Sequence, residues 1–251
     1  MNTKVKQLLF YIGFIAVWQL LYGMGIWPPS AFPSPLQVLQ TLWARTLDLT
    51  LLQDLLASFK HLFIGYGIAL VLGTLLGVTL AKWKTADQTL GNLILALQSV
   101  PSIAWLPLAI IWFGLSETAV IFIVVLGGTF VMTINMRIGI KNVPPLYLRA
   151  AKTMGSEGMD LFWKVIIPAS IPHAVTGMRL AWAFGWRALM AGEILSTGPG
   201  LGYTLKYASD FGDSALVVGI IIIIGVIGTI ADQIVFKRME SKVLSRWGLE
   251  S

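Results

Sequence analysis

The chain has 251 residues, of which 56% are hydrophobic and only 12% charged, with a net charge of +6 and no cysteine. A soluble domain of this length would carry about 25% charged residues, and without cysteine there is no disulfide, thiolate metal site or cysteine nucleophile. Apolar runs of about 20 residues, with no alternating ten-residue segments, exclude an outer-membrane barrel and require membrane-spanning helices, so the positive charge reads as basic cytoplasmic loops rather than a nucleic-acid surface.

In chain order, a first span runs from Leu8 to about Ile26, behind Lys4 and Lys6. Its charged start is that of a signal peptide, but the length of its apolar run and the lack of a small-x-small cleavage site make it an uncleaved anchor. WPPSAFPSPLQV (Trp27–Val38) is a proline-punctuated loop leading into an amphipathic stretch that ends near Asp54. The second span, Leu55–Ala81, contains Gly73 and Gly77, a spacing that lets helix backbones approach closely. The third, Leu93–Phe113, holds Pro101 and Pro107, which are expected to kink it. The fourth is Thr118–Met136, the fifth Ala174–Leu195 and the sixth Ala215–Phe236. The expected fold class is all-α, a polytopic membrane protein of six transmembrane helices. Its parts are an N-terminal anchor and connector (1–54), a core of five spans (55–236) and a tail (237–251). No repeat relates the two halves, so the inverted-repeat signature of many secondary transporters is not visible.

Lysine and arginine orient the spans. With the N-terminus cytoplasmic, fourteen of the eighteen basic residues lie inside. Arg45, Lys60 and Lys206 fall outside or near the outer face, and Arg187 falls within a span. Both termini are then cytoplasmic.

The longest inside stretch, residues 137–173, includes YLRAAKTMGSEGMDLFWKVIIP (Tyr147–Pro168). Pro144 and Pro145 can open a helix, which places Tyr147, Ala150, Ala151 and Met154 on one face. Gly155 stops it. Ser156 can cap a second helix with Glu157 and Asp160 in its first turn, and Pro168 and Pro172 interrupt the chain before the fifth span. Two short helices at an angle would project a small apolar face beneath the bilayer. Such a face suits docking in another protein's groove; the alternative is a basic amphipathic loop lying on anionic headgroups.

Ala150, Ala151, Gly155 and Val165–Pro168 together resemble the signature loop of the integral-membrane subunits of ATP-binding-cassette importers: Glu-Ala-Ala, three residues, Gly, nine residues, Ile-x-Leu-Pro. Arg149 stands where that motif has glutamate; Val165 and Ile167 are conservative departures. PSPLQVL, LQSVPSIAWLPLAIIWFGL (Leu97–Leu115) and GPGLGY (Gly198–Tyr203) are similar to the binding-protein-dependent, MetI-like subfamily that imports nitrate, bicarbonate, taurine and aliphatic sulfonates. The resemblance implies a type I importer fold with a cytoplasmic coupling helix between spans four and five. It implies as partners a second permease copy, two cytoplasmic ATPase subunits and an external, periplasmic or lipid-anchored solute-binding protein, in the bacterial cytoplasmic membrane with its lipid. Tyr147, Arg149, Ala150, Ala151, Met154, Gly155 and Pro168 become the ATPase-coupling residues.

No Gly-x4-Gly-Lys-[Ser/Thr] occurs, so ATP and magnesium would be bound by the partner ATPase and not by this chain. No His-Glu-x-x-His or Gly-x-Ser-x-Gly occurs either. His61 and His173 read as interfacial or packing residues rather than metal ligands, and no catalytic set is expected. Arg187 and Glu193, with Trp186, lie in or near the outer part of the fifth span. An arginine at a helix centre costs about 2.5–3.5 kcal/mol on insertion scales, so it faces a cavity, a structural acid or the headgroups. A cavity-facing arginine offers a hydrogen-bonding fork to an oxyanion. Glu193 is expected near the outer interface, and Asp232 in a packing or capping role near the inner end of the sixth span. An ion-coupled carrier or channel, or a membrane-embedded enzyme, are the competing classes.

Overall fold

The computed structural model describes residues 3–246. Its elements, in order, are α1 (Thr3–Gly23), α2 (Pro35–Leu47), α3 (Thr50–Lys82), α4 (Lys84–Ser99), a 3₁₀ turn (Ser102–Trp105), α5 (Leu106–Phe113), α6 (Glu117–Lys141), α7 (Pro145–Thr153), α8 (Gly158–Leu161), a π turn (Phe162–Ile166), α9 (Ile167–Ile194), α10 (Leu201–Asp210), α11 (Ser214–Ile230), a second π turn (Ala231–Phe236) and α12 (Lys237–Arg246). No strand occurs among the described residues.

Four helical stretches are long and apolar enough to cross a bilayer: Val5–Gly23, Thr50–Lys82, Glu117–Lys141 and Ser214–Ser245. A fifth crossing is available if α4 and the segment Ser102–Phe113 count together. Pro101 and Pro107 do more than kink this expected span: the two pieces meet at 97°. Proline has no amide hydrogen to continue the helical ladder, and the residue before it is pushed out of the helical region. Val100 accordingly adopts φ −80°, ψ 120°. The expected fifth span lies within α9, which is long enough but carries Arg179, Arg187 and Glu193 and does not qualify by composition alone.

The chain divides into two compact units. The first comprises residues up to Ser58 together with Glu193–Val226. Here Ser34 opens α2 with a capping box: its hydroxyl accepts from the Gln37 amide at 3.2 Å, and the Gln37 side chain accepts from the Ser34 amide at 2.8 Å. This satisfies two donors that the start of a helix leaves open. The Trp18 indole donates to the Pro33 carbonyl at 3.0 Å, tying the proline-rich loop to α1. A Cβ at Gly219 would lie 2.8 Å from the Leu42 side chain, so α2 and α11 touch where glycine leaves room. The hydrophobic side chains of α1 are exposed from Leu8 to Ile15, as lipid-facing residues are.

The second unit comprises Phe59–Gly192 and residues from Ile227 onward. Small residues set its packing. A Cβ at Gly73 would fall 2.8 Å from the Thr129 carbonyl, and one at Gly77 2.7 Å from the Thr133 carbonyl, so α3 and α6 are in backbone contact. Gly127 meets Ala188, and Gly139 meets the Cβ of His173, where α9 crosses α6. Dispersion between closely approaching backbones drives such pairs where lipid removes the hydrophobic advantage. Asp87, at the start of α4, bridges Arg137 and Lys141 at the end of α6.

Candidate translocation site and coupling elbow

The elbow forms as a pair of short helices, with one end built differently from the sequence expectation. Pro145 stands in the first turn of α7. Gly155 closes the helix at φ +84°, a left-handed position open to glycine. Its amide donates to the Lys152 carbonyl and that of Ser156 to the Ala151 carbonyl, both at 2.9 Å, the two bonds of a Schellman closure. Ser156 does not cap α8. Glu157 holds the cap position without a side-chain bond, and the Ser156 hydroxyl donates to Asp160 at 2.9 Å. The reason is the short α8, which hands over at once to the π turn. Pro168 and Pro172 do not interrupt the chain either: both lie within α9, Pro168 in its first turn and Pro172 inside it.

The expected coupling face divides in two. Ala151 is 3% exposed and anchors the elbow, whereas Tyr147, Arg149, Ala150 and Met154 face outward, Met154 at 81%. Leu146, Met159 and Trp163 add exposed apolar surface that the sequence motif did not single out. Lys82, at the end of α3, sits 5.7 Å from the centre of the Phe162 ring, joining the elbow to a long apolar helix. Lys164 is 2.6 Å from Asp160, and this ion pair, with the Ser156 hydroxyl, holds the Asp160 carboxyl below its ordinary value of 3.8.

On α9, the two arginines have opposite surroundings. Arg179 donates through Nε and Nη2 to both oxygens of Asp232, at 2.7 and 2.8 Å, and through Nη1 to Glu240 at 2.6 Å. Thr176 donates to the other Glu240 oxygen at 2.8 Å. Asp232 and Glu240 are eight residues apart, but the π turn absorbs one residue without advancing the helix, so they stand two turns apart on one face. Asp232 is therefore an ion-pair partner rather than a cap. Arg187 has no acidic partner among the described residues. Its guanidinium lies 5.7 Å from the Phe184 ring centre.

Arg187 lines two cavities. One, of about 180 Å³, is walled by the α4–α5 break (Gln98, Ser102, Trp105), by Phe130 of α6 and by Phe184. The other, of about 350 Å³, lies between α9 and the α11 end, with Trp182, Trp186, Thr229 and Gln233 in its wall. Irregular backbone at membrane depth is tolerated where it is buried in protein or lines an aqueous cavity, which is where the break lies. Trp186 is 7% exposed, and its ring packs 6.3 Å from Phe59.

Glu193 is not at a surface. It is fully buried in the first unit, where it accepts from the Ser58 hydroxyl at 2.8 Å and the Gly202 amide at 3.0 Å. The Leu201 amide donates to Ser58 at 2.9 Å, and Asp54 accepts from the Gly200 amide at 3.3 Å and the Thr204 hydroxyl at 2.6 Å. Three amides at the start of α10 thus find side-chain acceptors, and GPGLGY is the strand of chain that bends into them. A Cβ at Gly200 would be 2.6 Å from the Glu193 carboxyl carbon. The spacing of Asp54, Ser58 and Glu193 along the chain carried no signal of this cluster. No group of three potential metal ligands converges among the described residues.

Apolar helices, a sharply broken helix pair beside a cavity lined by Arg187, which has no acidic partner among the described residues, and an exposed helical elbow fit a transport permease, a membrane subunit that passes solute and leaves covalent chemistry to others. The chain belongs to the family of binding-protein-dependent transport system inner membrane components, whose model matches residues 69–241. It is 34% identical over 256 residues to the aliphatic sulfonates transport permease SsuC of Escherichia coli, covering 98% of this chain and 96% of that protein. It is 29% identical over 243 residues to the nitrate import permease NrtB of Leptolyngbya laminosa, covering 93% of this chain and 86% of that protein. A chain of the MetNI methionine ABC transporter in an inward-facing crystal form matches with a TM-score of 0.68 at 17% identity, over 77% of this chain and 96% of that one, a likeness of fold. The protein is an ABC importer permease.

Proposed function

We propose that the chain carries a small anion, of the sulfonate or nitrate type, inward across the cytoplasmic membrane as one of two permease copies. Two ATPase subunits would lie below it and a solute-binding protein outside. The observation that carries the anion reading is Arg187, which lines two cavities beside the α4–α5 break and has no acidic partner among the described residues. A guanidinium without a structural acid keeps its donors for a ligand, and the names of the sulfonate and nitrate relatives agree in charge with such a ligand.

The elbow at Tyr147–Pro168 is the ATPase contact in this reading. Ala151 is seated in the unit while Leu146, Tyr147, Met154, Met159 and Trp163 offer apolar side chains outward. Closure of the nucleotide-bound ATPases would move the elbow as a rigid body and, through Lys82 and α9, the helices around Arg187. ATP and magnesium belong to the ATPase chains. The lysine and arginine distribution supports both termini on the cytoplasmic side, and the parts 1–54, 55–236 and 237–251 then serve as anchor with connector, transport core and cytoplasmic tail.

In proteoliposomes holding the chain with its ATPase and binding protein, Arg187→Gln should lower ATP-driven uptake of methanesulfonate or nitrate about tenfold or more at unchanged assembly. Uptake of both anions at the unmodified rate would remove Arg187 from the path.

A further inference from the structure

One face of α1 carries Phe14, Val17, Trp18 and Leu21, spaced as neighbours on a helix, and across from it α11 presents Val218 and Ile222. The two stripes wall an apolar cavity of about 300 Å³, closed at one end by Phe32 and Pro33 of the proline-rich loop. Among the described residues the only side-chain polar atom in this wall is the Trp18 indole nitrogen, and it donates to the Pro33 carbonyl at 3.0 Å. The groove therefore takes hydrocarbon rather than water. Phe14, Val17 and Ile222 are exposed, so it opens sideways to lipid.

A second cavity, of about 340 Å³, adjoins the first at Pro33, which lines both. Its wall is polar, with Ser30, Gln37, Gln40 and Thr41 on one side and Asp213 and Ser214 on the other. Among the described residues, Asp213 is the only charged one in that wall. Its Oδ1 accepts from the Leu216 amide at 3.0 Å at the start of α11, and Oδ2 has no partner among the described residues. Trp27 packs 5.4 Å from Phe32 beside the junction of the two cavities, and tryptophan favours the level of the headgroups. From Phe14 to Leu21 the groove rises about 10 Å along α1, which keeps it within one leaflet of a ~30 Å hydrocarbon core.

We infer that the two cavities together hold one phospholipid with an ammonium headgroup, of the phosphatidylethanolamine kind, its acyl chain between α1 and α11 and its head over Pro33 beside Asp213. Lipid tails are as apolar as these side chains, so the groove does not choose the lipid; it fixes a chain through contacts that a void would forfeit. The head makes the choice. Its ammonium donates to Oδ2 of Asp213, while Ser30, Gln40 and Thr41 supply hydroxyl and amide donors for the phosphate. An anionic head such as that of phosphatidylglycerol meets the same carboxylate with no base in the wall to offset it. The bound lipid joins α1 to α11 where their side chains leave a gap.

The test uses the full chain with its partner ATPase in detergent, and two phospholipids that carry a photoreactive diazirine in one acyl chain, one with an ethanolamine head and one with a glycerol head. After irradiation, peptides 14–21 and 218–222 should carry at least about threefold more of the ethanolamine probe, and unlabelled phosphatidylethanolamine should suppress it. Asp213→Asn keeps an acceptor for the Leu216 amide and should bring the two probes level. Ile222→Trp fills the groove and should lower labelling by either probe; should it fail to assemble, Val17→Trp makes the same comparison. Equal labelling by the two probes in the unsubstituted chain, a preference that survives Asp213→Asn, or labelling unchanged when the groove is filled overturns the proposal. The chain has no cysteine, so Val17→Cys reports contact with a second copy. A disulfide-linked dimer formed on oxidation in native membranes means that the partner permease covers the groove, and it overturns the lipid.

Discussion

The Arg179 guanidinium grips both carboxylate oxygens of Asp232, at 2.7 and 2.8 Å, which ties α9 to the π turn that follows α11. Both side chains are about one-third exposed, so the pair is neither a surface bridge of little worth nor a fully desolvated one. Asp232→Asn leaves the guanidinium with Glu240 alone and should cost about 1–2 kcal/mol of stability, read from unfolding in detergent. Adding Arg179→Gln should cost much less than a second such increment. Strict additivity of the two substitutions would show that the residues do not act together.

The α3–α6 contact makes a contrast within one helix. Gly77→Ala puts a methyl group 2.7 Å from a backbone carbonyl, which cannot turn aside, and should destabilise by about 1–3 kcal/mol. Gly67→Ala meets nothing within 4 Å and should be neutral or slightly stabilising, as alanine favours the helix. Thermal unfolding of the two variants side by side checks this; equal melting points would mean that the helices separate more easily than their packing implies.

Gly155 and Ala151 test the elbow. Gly155→Val forces a β-branched residue to φ +84° and should loosen the α7 closure by about 1–2 kcal/mol, while Ala151→Leu should unseat α7 from its buried anchor. In proteoliposomes both should lower solute uptake per ATP hydrolysed, and hydrogen exchange at the Gly155 and Ser156 amides should rise in the first. Full uptake per ATP with both side chains enlarged would count against the elbow as the point of coupling.

Glu193 belongs to structure rather than to the surface. Glu193→Gln replaces the carboxyl group that accepts from Ser58 and Gly202 with an amide, and Gly200→Ala drives a methyl group into the same carboxyl. Either should cost about 1–3 kcal/mol and speed hydrogen exchange at Leu201 and Gly202. If those amides stay as protected as before, the first turn of α10 is held by something else.

Asp160 gives a pH dependence. Its carboxyl is held below 3.8 by Lys164 and the Ser156 hydroxyl, so the elbow gains its contribution above that value and loses it as pH falls through the lower folded one. Asp160→Asn should raise amide exchange in residues 156–161 at neutral pH, with the difference from the unsubstituted chain vanishing once the pH has fallen well below the lowered folded value. A difference that persisted in acid would assign the effect to something other than the carboxylate charge.

Much of this was legible along the chain because its causes are local. Apolar run length marks a spanning helix wherever the helix ends up, and Pro145 and Gly155 delimit α7 through backbone angles alone. The motif spacing from Ala150 to Pro168 located the elbow for the same reason. Pro101 and Pro107 announced a disturbance, although its size, a 97° break, depends on what the two pieces pack against.

The amino-acid sequence by itself determined that this is a helical membrane protein with a short-helix elbow, since those properties follow from hydropathy and backbone preference within a few turns, and the elbow's motif carried the likeness to importer permeases. Only the tertiary structure decided which charges are paired within the fold and which line a cavity. Arg179 and Arg187 share one helix and the same chemistry, yet one meets Asp232 and Glu240 and the other lines a cavity; Glu193 is turned inward to accept from Ser58 and the Gly202 amide. Charge interactions depend on separation in space, and helices far apart in the chain set that separation only when they pack.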